Sequence, residues 1–142
     1  MHDDVLINKA ATIERCVARA LEEYQYDPES FADNYSRQDA AILNIQRACE
    51  AALDMGQYLI RRERLGIPQS SRDVFSLLAQ ANWIDKTLAD ALKRMVGFRN
   101  IVVHDDQTLL LPIVIKVITE HLEEFLDYSA RILKQDFQKL ND

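Results

Sequence analysis

An all-α fold, an antiparallel bundle of about five helices, is what the sequence predicts, and three observations predict it. Only three glycines and three prolines punctuate 142 residues, far fewer turn signals than a chain of many short strands would need. Apolar residues recur at spacings of three and four, the period of a helix with one buried face. The apolar fraction of 48% and charged fraction of 28% are ordinary for a soluble globular protein. A chain of this length builds a core without disulfides or metal, and residues 1–142 read as one domain.

The elements follow in order. Val5 to Glu23 forms the first helix, with Ile13, Val17, Ala20, Leu21 and Tyr24 on its apolar face. Tyr26-Asp27-Pro28-Glu29-Ser30 breaks the pattern, and Phe31 and Tyr35 are expected to pack a connecting segment onto the bundle. A long second helix runs from about Arg37 to Arg64. Its stripe of Ala41, Ile45, Ala48, Cys49, Ala52, Met55, Gly56 and Leu59 is small enough for another backbone to come close. Gly66 can take the left-handed conformation that ends a helix, and Pro68 prevents its resumption. Ser70 or Ser71 caps a short third helix with Asp73 in its first turn and Val74, Leu77 and Leu78 inward. Asp85 caps a fourth, which continues through Leu88, Leu92, Met95 and Val96 to about Val103. After Asp105-Asp106-Gln107-Thr108, Pro112 stands near the start of a last helix, where its missing N–H does no harm, and Val114, Val117, Ile118, Leu122, Phe125, Leu126, Ile132 and Leu133 continue its apolar stripe.

Composition also narrows function. The polar, acidic start Met1-His2-Asp3-Asp4 is unlike a signal peptide. Leu109 to Ile118, the most apolar stretch, is too short to span a bilayer. A cytoplasmic protein with no membrane partner is therefore expected, with Cys16 and Cys49 as reduced, buried small hydrophobes. Cysteines and histidines show none of the spacings of a zinc site. No glycine-rich phosphate loop and no nucleophile elbow is present, so no metal and no cofactor is expected. Adjacent acids such as Asp105-Asp106 are commonly solvated turn residues. His121, between Ile118 and Leu122, is expected at the core's edge, hydrogen-bonded to a neighbour. The net charge of −6 argues against non-specific retention of nucleic acid. Any RNA chemistry then needs a local positive patch, for which Lys93, Arg94 and Arg99 are candidates. The Arg61-Arg62-Arg64 cluster is a second candidate, whose first reading is a solvated helix end that the macrodipole favours.

Arg99-Asn100-Ile101-Val102-Val103-His104 carries the one constellation with chemistry in it. A guanidinium is permanently cationic and fork-shaped, suited to a phosphate in transfer, and an imidazole can move a proton near neutral pH. Five residues along an ideal helix turn a side chain about 140° beyond a full turn, so Arg99 and His104 would diverge. Asn100 and His104, four apart, would share a face. Either the helix ends before His104, or the two side chains serve a site shared with a second subunit. A two-fold dimer with these helix ends on its axis would gather two arginines and two histidines.

The motif and the sequence around it resemble the HEPN superfamily, and within it the HepT branch of toxin–antitoxin toxins. Three segments carry the likeness: Gln38-Asp39-Ala40-Ala41-Ile42-Leu43-Asn44-Ile45-Gln46-Arg47 with Cys49-Glu50-Ala51, then Leu65-Gly66-Ile67-Pro68-Gln69-Ser70-Ser71-Arg72-Asp73, then Met95-Val96-Gly97-Phe98-Arg99-Asn100. The resemblance implies a homodimeric, metal-independent RNA endonuclease with its cleft between subunits. In it the RNA 2′-hydroxyl attacks the adjacent phosphate, His104 serves as general base or acid, and Arg99 stabilises the charge on the phosphorane. Asn100 orients the phosphate or the imidazole, and Asp39 and Glu50 are secondary cleft candidates on the second helix. It also implies a partner, an MntA-like nucleotidyltransferase antitoxin that silences HepT toxins by attaching AMP to a tyrosine two residues beyond the motif histidine. Here that position is Asp106, which has no phenolic oxygen. A different class of function, a non-catalytic or attenuated helical module that pairs with such an antitoxin, draws on Asp106 and the acidic charge.

Overall fold

Each of the first four helices starts where a side chain accepts one of its free amides. In the computed structural model, which describes the backbone over 3–100 and 107–140 and side chains over 3–99 and 111–139, Asp3 accepts from the amides of Val5 and Leu6 at 3.0 and 3.3 Å. It opens α1 (Asp4–Gln25). Asn34 accepts from Arg37 at 3.1 Å and opens α2 (Tyr35–Glu63). Ser70 does the same for Asp73 at the head of α3 (Ser71–Gln80), and Asp85 for Leu88 at 2.7 Å ahead of α4 (Lys86–Met95). Each such cap is worth about 1 kcal/mol. The fifth expected helix is one rod in three parts: α5 (Gln107–Lys116), a π turn (Val117–His121) and α6 (Leu122–Leu140).

α1 lies along α2 in the opposite direction, so that Lys9 meets Asp54 and Glu23 meets Arg37. Leu6, Ala10, Ile13, Val17 and Ala20 of α1 and Ala41, Ile45, Ala48, Ala52, Met55 and Leu59 of α2 are buried in one apolar core, which α3, α4 and α6 complete. The small stripe of α2 admits its closest neighbours at Gly56. A Cβ there would stand 2.5 Å from Val74 Cγ1 and 2.9 Å from Tyr128 Oη. Tyr128, fully buried, donates its hydroxyl to the Ala52 carbonyl at 2.7 Å and meets Phe75 edge-on. Phe31 is buried as expected, and Gln38 pins its short 3₁₀ segment (Phe31–Asp33) by donating to the carbonyls of Phe31 and Ala32. Tyr35 instead opens α2 with its side chain largely in solvent.

Three further expectations need correction. The left-handed residue that ends α2 is Arg64, with φ 56°, and the Leu65 amide reaches back to the Ile60 carbonyl at 3.0 Å. Gly66 holds the next positive φ, 131°, inside the connection. Arg62 is no solvated helix end. Its fork reaches Asp3 at 2.7 Å and Asp136 at 2.6 Å, tying the head of α1 to the end of α6. Pro112 lies in the sixth position of α5, where the missing N–H does cost a helical hydrogen bond. The rod widens into its π turn one turn later, and Thr119 donates its hydroxyl to the Ile115 carbonyl at 2.8 Å. Among the described residues no helix is long and apolar enough to cross a membrane.

Candidate functional site

The α-helical part of α4 stops at Met95, short of the expected Val103, and the chain tightens into a 3₁₀ turn over Val96–Asn100. Its anchors come from one face of α2, where Gln46, Cys49 and Glu50 fall three and four residues apart. Gln46 donates its amide to the Phe98 carbonyl at 3.3 Å, and the Cys49 thiol donates to the Met95 carbonyl at 3.6 Å. Glu50 pairs with the Arg99 guanidinium at 3.3 Å. From the other side Arg72 donates to the Lys93 carbonyl at 3.2 Å. Carbonyls that a continuing α-helix would use are taken by side chains, while Met95, Val96 and Phe98 bury themselves in the core. The result is a fixed, tightly wound platform that presents Arg99.

This platform settles the geometry of the motif in part. The 140° divergence assumed an α-helix running from Arg99 to His104, and the α-helix ends before Arg99. His104 and Asp106 lie outside the described residues, as does the side chain of Asn100, whose backbone closes the 3₁₀ turn. Of the two secondary candidates, Glu50 is brought to Arg99. Asp39 lies exposed on the same face of α2, about three turns nearer its start. Burial pushes the Cys49 thiol up to about 11, helped by the Glu50 charge and opposed by Arg99, so it stays a protonated donor at neutral pH. Cys16 is likewise buried, with its thiol raised for the same reason. Both are the reduced, packed cysteines the sequence suggested.

Arg99 stands at the margin of an open groove of about 650 Å³ between α1 and α2. Lys9, Arg15, Arg19 and Arg47 line it as well, against two carboxylates, Glu50 and Asp54. Those carboxylates are engaged with Arg99 and Lys9 at 3.3 and 3.4 Å. The positive patch beside Arg99 is therefore built from α1 and α2, not from Lys93 and Arg94 as expected. Lys93 pairs with Asp90 at 3.8 Å, and Arg94 faces a separate hollow of about 340 Å³ with Phe98, Lys116 and His121. The available signal was the spacing of Arg15 and Arg19, one helical turn apart and flanking an apolar cysteine. Arg47 could join them only once α1 and α2 were set in register. His121, half-buried, bonds through Nδ1 to Glu124 at 2.8 Å, the edge-of-core role expected of it. Among the described residues no three metal-ligating side chains converge.

Known proteins share both sequence and fold with this chain. The family model described as "Ribonuclease HepT-like" matches residues 13–132. A relative named mRNA nuclease HepT, from Shewanella oneidensis, is 52% identical over 123 residues, 87% of this chain and 92% of the relative. A variant of an MntA–HepT toxin–antitoxin complex superposes with a TM-score of 0.86 at 49% identity, covering 92% of this chain and 98% of that one. A tri-AMPylated HEPN toxin of Shewanella oneidensis, in complex with its MNT antitoxin, does so with a TM-score of 0.84 at 50% identity, covering 92% and 97%. The coverage spans every helix that positions Arg99, and the chain belongs to the HepT-like ribonuclease family.

Proposed function

We propose that this protein is the toxin of a toxin–antitoxin pair, an RNA endonuclease that needs no metal and is restrained by a nucleotidyltransferase antitoxin. The observation that carries the reading is Arg99 on a rigid turn at the edge of an arginine-lined groove, in a chain of net charge −6. An acidic protein with no use for polyanions has no reason to concentrate unpaired arginines in one hollow. The family, the nuclease name of its relative and the antitoxin-bound relatives point the same way.

In the proposed reaction the RNA 2′-oxygen forms a bond to the adjacent phosphorus as the bond to the 5′-oxygen breaks. His104 takes the 2′-hydroxyl proton, and a proton is delivered to the departing 5′-oxygen. A second His104, from the other copy in a homodimer, supplies that acid. Arg99 stabilises the extra charge on the phosphorane oxygens, a task that its fork performs with two parallel hydrogen bonds. Asn100 orients the phosphate or the imidazole.

The purified protein is expected to cleave RNA in EDTA and to leave 2′,3′-cyclic phosphate ends. Arg99→Ala and His104→Ala are each expected to slow cleavage by about 10² to 10⁴. Undiminished cleavage by both variants overturns the site. Expression without the antitoxin distinguishes the toxin from a non-catalytic pairing module, because only the toxin arrests growth.

A further inference from the structure

We propose that Arg15, Arg19 and Arg47 form a phosphate track, separate from the reacting groups, that holds the RNA strand beside Arg99. RNA is its occupant on the ribonuclease reading above, although the track's charge and shape stand by themselves.

Arg15 and Arg19 are one turn apart on α1, about 6 Å along its axis, and Arg47 faces them from α2 across the groove. All three are exposed, and among the described residues none has an ion-pair or hydrogen-bond partner for its side chain. They surround one point. The thiol of Cys16, buried between the two helices, feels all three guanidiniums, each of which opposes the upward push of burial on its titration. The two carboxylates of the groove sit elsewhere, with Lys9 and Arg99, so they leave these cations unneutralised.

Such an arrangement does nothing for the fold. Like charges one turn apart on a helix destabilise it by a few tenths of a kcal/mol, and a third cation packed opposite adds repulsion. Folding would favour a carboxylate at any of the three positions. What the cluster suits is a row of phosphates, since each guanidinium offers a planar fork that takes a phosphate with two hydrogen bonds. The groove is open along its length and continuous with Arg99, which lines it too. A strand lying in it would bring one of its phosphates to the proposed reacting centre. Contacts of this kind carry no base sequence and set register instead.

The test uses the intact protein and a 2′-O-methylated RNA of roughly 12 nucleotides, which cannot react through its 2′-oxygen. Its dissociation constant is measured across a salt series. Arg15→Gln, Arg19→Gln and Arg47→Gln combined are expected to weaken binding at least tenfold at low salt and to flatten the log–log salt dependence by about 2, at about 0.7 per lost single-strand phosphate contact. Arg61→Gln, Arg64→Gln and Lys134→Gln combined remove equal charge elsewhere and are expected to leave that slope in place. Circular dichroism confirms that the variants remain helical. An unchanged slope in the groove variant overturns the track. So does loss of antitoxin co-purification with RNA affinity intact, which would make the groove a seat for an acidic protein surface. Arginine-dependent RNA binding by a protein that cleaves no RNA would instead sink the nuclease reading and keep the track.

Discussion

At the scale of single residues, the Arg99–Glu50 pair is too exposed to be there for stability. The two side chains are 33% and 51% exposed, and pairs of that kind contribute at most about 1 kcal/mol. Its consequence is orientation: a long, flexible guanidinium is kept on one side of a 3₁₀ turn. Glu50→Ala is expected to lower kcat for RNA cleavage several-fold while thermal unfolding moves by less than about 1 kcal/mol; unchanged kcat would show that the turn alone aims Arg99. Cys49, beneath the same pair, gives a pH signature. Its thiol is raised to about 11 in the folded protein, from an ordinary 9.0. The unfolded chain therefore loses this proton first, and the stability held by the neutral buried thiol is complete below pH 9 and lost as pH rises to 11. The expected loss is roughly 2–3 kcal/mol in denaturant titrations, and Cys49→Ala is expected to flatten that part of the curve. Arg99 could be read from the sequence because its neighbours resemble a family. Glu50 could be read, with Asp39, only as a secondary cleft candidate; its pairing with Arg99 could not, because that depends on where α4 ends.

At the scale of elements, α2 carries the architecture, and two of its contacts make sharp demands. Gly56 is where α3 and α6 close on α2, with no room for a Cβ between Val74 and Tyr128. Gly56→Ala gains helix propensity but forces those neighbours apart, and a net loss of about 1–3 kcal/mol is expected from overpacking in urea unfolding. The second demand is at Asp3. Burial works to raise its pKa, yet hydrogen bonds from Tyr58, Arg62 and the amides of Leu6 and Val5 hold it below the ordinary 3.8. A lowered carboxylate stabilises the fold fully above the unfolded value, and the contribution disappears as pH falls through the folded one. Asp3→Asn is thus expected to narrow the gap between wild-type and variant stability as the pH is taken below about 3.8. Helix starts were legible in the sequence, since a cap is a local event: Ser70 and Asp85 act where they were expected to. Helix ends were less so. α4 stops at Met95 where Cys49 of α2 and Arg72 of α3 take up its last carbonyls, and Arg64 turns left-handed ahead of the glycine that seemed made for it. Both outcomes depend on residues far away in the chain.

At the scale of the whole molecule, a net charge of −6 coexists with a groove that gathers five cations against two carboxylates. Overall charge is a property of composition, but the groove exists only when α1 and α2 lie side by side, which is why counting charges pointed away from RNA. An acidic remainder repels polyanions from the rest of the surface, which is what the proposed track would need to confine them to one place. We propose that the way such an enzyme is held in check turns on Asp106. The solved relatives sit with an antitoxin, and one of them carries three AMP groups. Transfer of AMP needs a nucleophilic oxygen that attacks the α-phosphate of ATP, releases pyrophosphate and keeps the adduct. A tyrosine yields a lasting phosphodiester, whereas a carboxylate yields a mixed anhydride that water cleaves. Because the resemblance places Asp106 where HepT toxins carry the acceptor tyrosine, the antitoxin is expected to restrain this toxin by binding alone. Incubation with the cognate antitoxin and ATP should then leave the mass of the wild-type chain unchanged, while Asp106→Tyr gains AMP and loses RNA cleavage even after the antitoxin is removed. A stable AMP adduct on the unaltered chain would place the acceptor at another residue and return covalent silencing to this protein.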